Sequence, residues 1–110
     1  MINPKLVTLH ISYEDWGDNP DDFLIHLEAF IGPEDEPGTE VFYFSAISPK
    51  RLVRMIEDDI ELGRGLLISS DFNLPKIETK IRQLLTNCHR DNWDETIKAI
   101  WRYARWESES

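Results

Sequence analysis

A chain of 110 residues with 41% apolar side chains has the length and composition of one ordinary domain that holds its own core. Its 21 Asp and Glu against 12 Lys and Arg give a formal charge of -9, which argues against direct binding to nucleic acid or an anionic membrane and favours a basic partner. One cysteine, Cys88, excludes an internal disulfide, and there is no Cys/His framework for zinc.

Residues 6–13 alternate, with Val7, Leu9, Ile11 and Tyr13 on one face and Thr8, His10 and Ser12 on the other, the pattern of a half-buried strand. Residues 14–22, with Gly17, Asn19 and Pro20 among five acids, read as an acidic turn. Residues 23–31 alternate again, Phe23, Ile25, Leu27, Ala29 and Ile31 against Leu24, His26, Glu28 and Phe30, and Gly32-Pro33 is expected to stop the strand. A second acidic turn spans residues 33–39. Residues 41–47 are apolar on both faces, as in a central strand, and the short connections favour an antiparallel meander.

The period changes at Ser48-Pro49, which suits an N-cap and a first helical position. Leu52, Met55, Ile56 and Ile60 supply an expected helical stripe, ended by Gly63-Arg64-Gly65. Residues 66–69 read as a short fourth strand. Pro75 opens a second helix with Ile77, Ile81, Leu84, Leu85 and Cys88 on one face. Asn92 and Glu95 resemble a capping box opening a third helix, whose stripe is Trp93, Ile97, Ile100, Trp101 and Ala104. The tail after Trp106 is expected to fray. No linker, repeat or low-complexity segment appears. The expectation is one α+β domain over residues 1–110, of order β-β-β-α-β-α-α, with a mainly antiparallel sheet of about four strands and the C-terminal helices on one face. The N-terminus has no signal peptide's apolar core, and no apolar run reaches bilayer length, so the cytoplasm is the expected compartment.

The residues give no support for catalysis. Cys88 and His89 are adjacent on a helical pattern and point about 100° apart, and Cys88 continues an apolar stripe, which makes it a core residue. His10 and His26, with Glu28 nearby, meet a metal only if they are cross-strand neighbours, and no third ligand is fixed by spacing; solvent-facing strand residues are the plainer reading. The paired carboxylates sit in turns or on a polar helix face, where water keeps them ordinary. Gly63-Arg64-Gly65 follows a helix and is too short for a phosphate loop. A stacking platform of Phe42, Tyr43 and Phe44 for nucleic acid conflicts with the charge. No cofactor, metal or small-molecule ligand is expected.

What stands out is the placement of charge. Residues 1–61 hold 14 acids and four bases, while residues 62–110 hold seven acids and eight bases. The acids of the two turns, Asp15, Asp18, Asp21, Asp22, Glu34, Asp35 and Glu36, are therefore the candidate partner-binding residues. Trp16 lies among them. Two readings of it stand open: an exposed anchor ringed by acids, or a ring folded back over the sheet edge.

Several features in order carry a likeness. Phe42-Tyr43-Phe44 leads into Ser48-Pro49 and a helix with Leu52. Gly63-Arg64-Gly65-Leu66-Leu67-Ile68 follows, then a turn with Asp71 and a helix with Ile77 and Ile81. Trp93-Asp94-Glu95 precedes Arg102-Tyr103-Ala104-Arg105-Trp106-Glu107 by about one helix. Over residues 23–107 the chain resembles the immunity protein 8 family of bacterial polymorphic toxin systems, departing from it where Ser108 follows Glu107 in place of an aromatic. The resemblance implies a non-catalytic protein that binds and blocks the C-terminal domain of a cognate toxin, with no catalytic residues to carry over. A nuclease, with its basic cleft, suits the charge. The other reading is an acidic regulatory or adaptor module for a basic protein unrelated to toxins.

Overall fold

The computed structural model describes residues 1–109 as a mixed α+β fold. Three antiparallel strands come first: β1 (Pro4–Asp15), β2 (Leu24–Pro33) and β3 (Glu40–Ile47). Helix α1 (Pro49–Met55) leads to β4 (Leu66–Ile68), which pairs parallel to β3. Helices α2 (Leu74–Leu85) and α3 (Trp93–Trp101) follow, and β5 (Arg105–Trp106) closes the chain against β3. The expected order and meander hold. The additions are the fifth strand and the parallel setting of the fourth.

Strand β2 shows the expected alternation: Ile25, Leu27, Ala29 and Ile31 are buried, with Phe23 just before them. Gly32-Pro33 does not stop it, because Pro33 still pairs with Pro4. Strand β3 is central, with β2 on one side and β4 and β5 on the other. Its Phe42, Phe44 and Ala46 join the same inner face, so these phenylalanines are core and leave only Tyr43 exposed. That removes the three-ring stacking platform.

Strand β1 departs from simple alternation. Register shifts after Leu6 and after Ile11 mark two bulges, each of which resets the face on which the next side chain falls. Leu6, Leu9 and Ile11 consequently pack on the core. Val7 and Tyr13, expected to join them, are 56% and 49% exposed. The bulges also blunt an otherwise long edge strand.

Ser48 and Asn92 are the expected N-caps, and Asn73 is a further one; the Glu95 carboxylate of the expected capping box faces Lys98 at 3.2 Å. The Ser48 side chain accepts from the Arg51 N–H at 3.1 Å, Asn73 caps α2 by accepting from Lys76, and Asn92 caps α3 by accepting from Glu95. Ile77, Ile81 and Leu85 of α2 and Ile97 and Ile100 of α3 bury against the inner sheet face, each such side chain contributing roughly 1.5–3 kcal/mol. Cys88 joins this core from just beyond α2.

Helix α1 differs most from its expectation. It ends at Met55, its buried side chain is Arg51, and Met55, Ile56 and Ile60 are exposed instead of forming a stripe. A connection over residues 56–65, with turns at both ends, then returns the chain to β4. Gly65 closes it at φ +81, where a side chain would be strained, and its N–H donates to the Tyr103 carbonyl at 2.9 Å.

The tail is not frayed up to Glu109. Trp106 packs edge-on against Trp101 at 5.4 Å, and the Glu107 N–H donates to the Val41 carbonyl at 3.0 Å. No helix of the described residues is long and apolar enough to cross a membrane.

Candidate functional site

The two acidic turns cap opposite ends of β2. Asp15 pairs with Leu24 at one end, and Glu34 follows Pro33 at the other. Ten residues of strand separate them, roughly 30 Å. The candidate residues therefore fall into two groups, one at each end.

At the first end the acids are largely occupied by bases. Arg51 is buried, and its fork reaches three acceptors: Nε to Asp22 Oδ1 at 2.7 Å, Nη2 to the Asp22 carbonyl at 3.0 Å and Nη1 to Asp15 Oδ2 at 3.2 Å. Arg54 Nη2 reaches the other Asp22 oxygen at 3.1 Å. The bond from Arg51 holds the Asp22 carboxyl below the usual range. The Gly17 N–H, and then Arg51, do the same for Asp15. Gly17 sits at φ +61 with its Cα so near Asp22 that an added Cβ would lie 2.8 Å from Oδ2. Asp22 is buried and Asp15 partly so, which makes them the fixed part of this turn.

Asp18 and Asp21 are the exposed part. Asp21 has only a loose, exposed ion pair with Lys50 at 3.6 Å, of the kind that contributes little to stability. Trp16 is placed over the sheet edge. Its ring lies against Phe23 at 5.7 Å and Phe72 at 5.9 Å, so it folds back over the sheet edge, and it stays 39% exposed. At the other end Glu34, Asp35 and Glu36 are all exposed, and none makes an ion pair among the described residues.

The histidines take separate partners. His10 faces Glu28, with Nε2 3.9 Å from Oε1, while His26 faces Tyr13 and lies 2.8 Å from Ser45 Oγ. No three His, Cys, Asp or Glu among the described residues gather as metal ligands. Burial pushes the Cys88 thiol above its ordinary pKa, and the Sγ–H donates to the Leu84 carbonyl at 3.3 Å; His89 beside it is exposed.

Two organising residues were missed in the sequence. Arg51 had a signal: three of the four bases in residues 1–61 are Lys50, Arg51 and Arg54, in one helix directly after an acid-rich stretch. Glu109 had none. It accepts from the Trp106 N–H at 2.7 Å, the Trp101 Nε1–H at 3.2 Å and the Arg105 guanidinium at 3.0 Å, and so fastens the last strand to α3. Those donors, Arg105 first, lower its pKa to about 2.

Among the described residues, the exposed acids lie at the two ends of the sheet, with the partly exposed Trp16 ring beside one set. Among curated proteins and among solved structures, nothing matches the chain. A family model described as Immunity protein 8 matches residues 6–110, which widens the likeness seen over residues 23–107 in both directions. A match of that extent, over all but the first two residues of the sheet and all three helices, places the chain in the Immunity protein 8 family, to which it belongs as an immunity protein against a toxin.

Proposed function

We propose that the protein binds the C-terminal domain of a cognate toxin of a bacterial polymorphic or contact-dependent system, in the cytoplasm, and neutralises it by occupation and not by catalysis. The observation that carries this reading is the family match over residues 6–110. The toxin domain is basic, and a nuclease fits best. A nuclease cleft holds a polyanion, and a chain of charge -9, with its excess acid confined to residues 1–61, is attracted to such a surface from a distance. Asp18, Asp21 and part of Trp16 at one end of the sheet, and Glu34, Asp35 and Glu36 at the other, are exposed for that contact.

The test is co-expression with the C-terminal domain encoded by the adjoining toxin gene. Growth should be rescued, the two chains should co-purify, and activity in the purified toxin should fall in proportion to the immunity protein added until the sites are filled. Full inactivation by a small fraction of an equivalent would indicate turnover and overturn the non-catalytic reading. Absence of both rescue and binding would remove the toxin as partner.

A further inference from the structure

Of the twelve large hydrophobic side chains exposed among the described residues, five lie within ten consecutive positions: Val53, Met55, Ile56, Ile60 and Leu62. Single exposed hydrophobes are ordinary, but a concentration of them marks a surface that another molecule covers. Ile60 and Leu62 are 91% and 84% exposed, more than any other large hydrophobic side chain here. They stand on the connection between α1 and β4, whose ten residues exceed the common length for such a link. Folding does not explain them, because the buried side chain of α1 is Arg51.

The same stretch carries Glu57, Asp58, Asp59 and Glu61, all exposed. None of these four makes an ion pair among the described residues, in contrast to Asp15, Asp21 and Asp22, which face Arg51, Lys50 and Arg54. The stretch therefore combines apolar anchors with uncompensated negative charge. Glu34, Asp35 and Glu36 have the charge without the anchors. A second copy of this chain is a poor occupant, since each copy carries -9 and the acids would meet acids.

We infer that residues 53–62 are the docking segment for the toxin domain, with Ile60 and Leu62 entering an apolar depression rimmed by Lys and Arg. The inference rests on the proposed function and adds a surface that the two acidic turns do not include. Anchors near the centre of an interface carry most of its energy, and charges at its rim set the rate of encounter.

The test uses the full chain and the purified C-terminal domain of the adjoining gene's toxin, with binding followed by surface plasmon resonance. Replacing Ile60→Ser and Leu62→Ser together should raise Kd at least about tenfold, mainly through faster dissociation, with the melting temperature unchanged. Replacing Glu57→Gln, Asp58→Asn and Glu61→Gln should slow association several-fold and reduce its dependence on salt. Asp59 is left in place because its carboxylate accepts the Ile60 N–H at 2.8 Å. Unchanged affinity in the Ile60/Leu62 variant, with wild type binding normally, overturns the docking segment alone. Failure of wild type to bind overturns the proposed function and this segment together. A wild-type dimer in sedimentation that the Ile60/Leu62 variant abolishes would assign the segment to self-association and overturn the inference.

Discussion

Arg51 Nε lies 2.7 Å from Asp22 Oδ1, and this buried pair joins α1 to the connection between β1 and β2. No buried side-chain nitrogen or oxygen among the described residues lacks a partner, so the pair is part of a satisfied network and not a stray buried charge. Removing one member of such a pair costs far more than removing an exposed one, because the other stays buried without compensation. Arg51→Met should therefore lower the urea midpoint clearly. Arg82→Met, which breaks only the exposed pair with Glu78, should stay within about 0.5 kcal/mol of wild type. Equal midpoints for the two variants would show that the pair carries no stability.

The acid side of the stability profile should depend on Glu109. Its folded pKa is about 2 against an ordinary 4.5, so the unfolded chain binds the proton more readily. The stabilisation is complete above about pH 4.5 and is lost as pH falls from there toward 2. Asp15 and Asp22 are shifted in the same direction and act in the same sense. Glu109→Gln should flatten the profile between those pH values and speed hydrogen exchange at the Trp106 amide, which otherwise donates to Glu109 at 2.7 Å. A profile identical to wild type would remove Glu109 as the fastener of β5.

Cys88 should behave as a core residue. The thiolate is the reactive form, and burial that raises the thiol pKa keeps it scarce at neutral pH. Labelling by a thiol reagent should follow opening of the fold and become fast only in denaturant. Cys88→Ala should cost roughly 1–2 kcal/mol of stability and leave toxin neutralisation intact. Lost neutralisation at an unchanged melting temperature would show that the thiol acts directly.

The elements read best from sequence are those in which local signals and packing agree. Ser48, Asn73 and Asn92 are at helix N-caps, two of them foreseen from their followers alone, and β2 keeps its alternation because β3 pairs with it in unbroken register and the extra residues of both bulges fall on β1. Strand β1 was misread at Val7 and Tyr13 because a bulge leaves no mark in a run that alternates across it. Helix α1 was misread for a different reason. Met55, Ile56 and Ile60 fit the helical period, but a period reports a face and not whether anything covers it. Strand β5 was missed because two residues are too few for a pattern, and the Glu109 contact that ties it to α3, from the Trp101 Nε1–H, exists only once α3 has folded. At the candidate site, the charge was legible and its pairing was not. Asp22 and Asp18 look alike in a turn, and only the position of Arg51 separates the buried one from the exposed one.

That separation governs how the acids can steer a partner. Asp22 and Asp15 are bound to Arg51, so exchanging them for amides perturbs the fold and tells nothing clean about encounter. Asp18 and Asp21 are exposed at the same end of the sheet, and Glu34, Asp35 and Glu36 are exposed at the other, roughly 30 Å away. The Debye length is about 10 Å at 0.1 M salt, so at that ionic strength a basic surface docking at one end feels the other end weakly. The prediction follows from this screening. Asp18→Asn with Asp21→Asn, and separately Glu34→Gln with Asp35→Asn and Glu36→Gln, should slow association with the toxin domain unequally. The set nearer the interface should lower the on-rate several-fold, with dissociation little changed, and should flatten its dependence on salt. The farther set should approach wild-type kinetics at 0.1 M and differ from it only in dilute salt, where the screening length reaches about 30 Å at 0.01 M. Stopped-flow association over that range of salt measures both. On-rates independent of salt, and unchanged in both variants, would mean that neither acidic turn attracts the toxin and that these charges serve only to keep the protein dispersed in water.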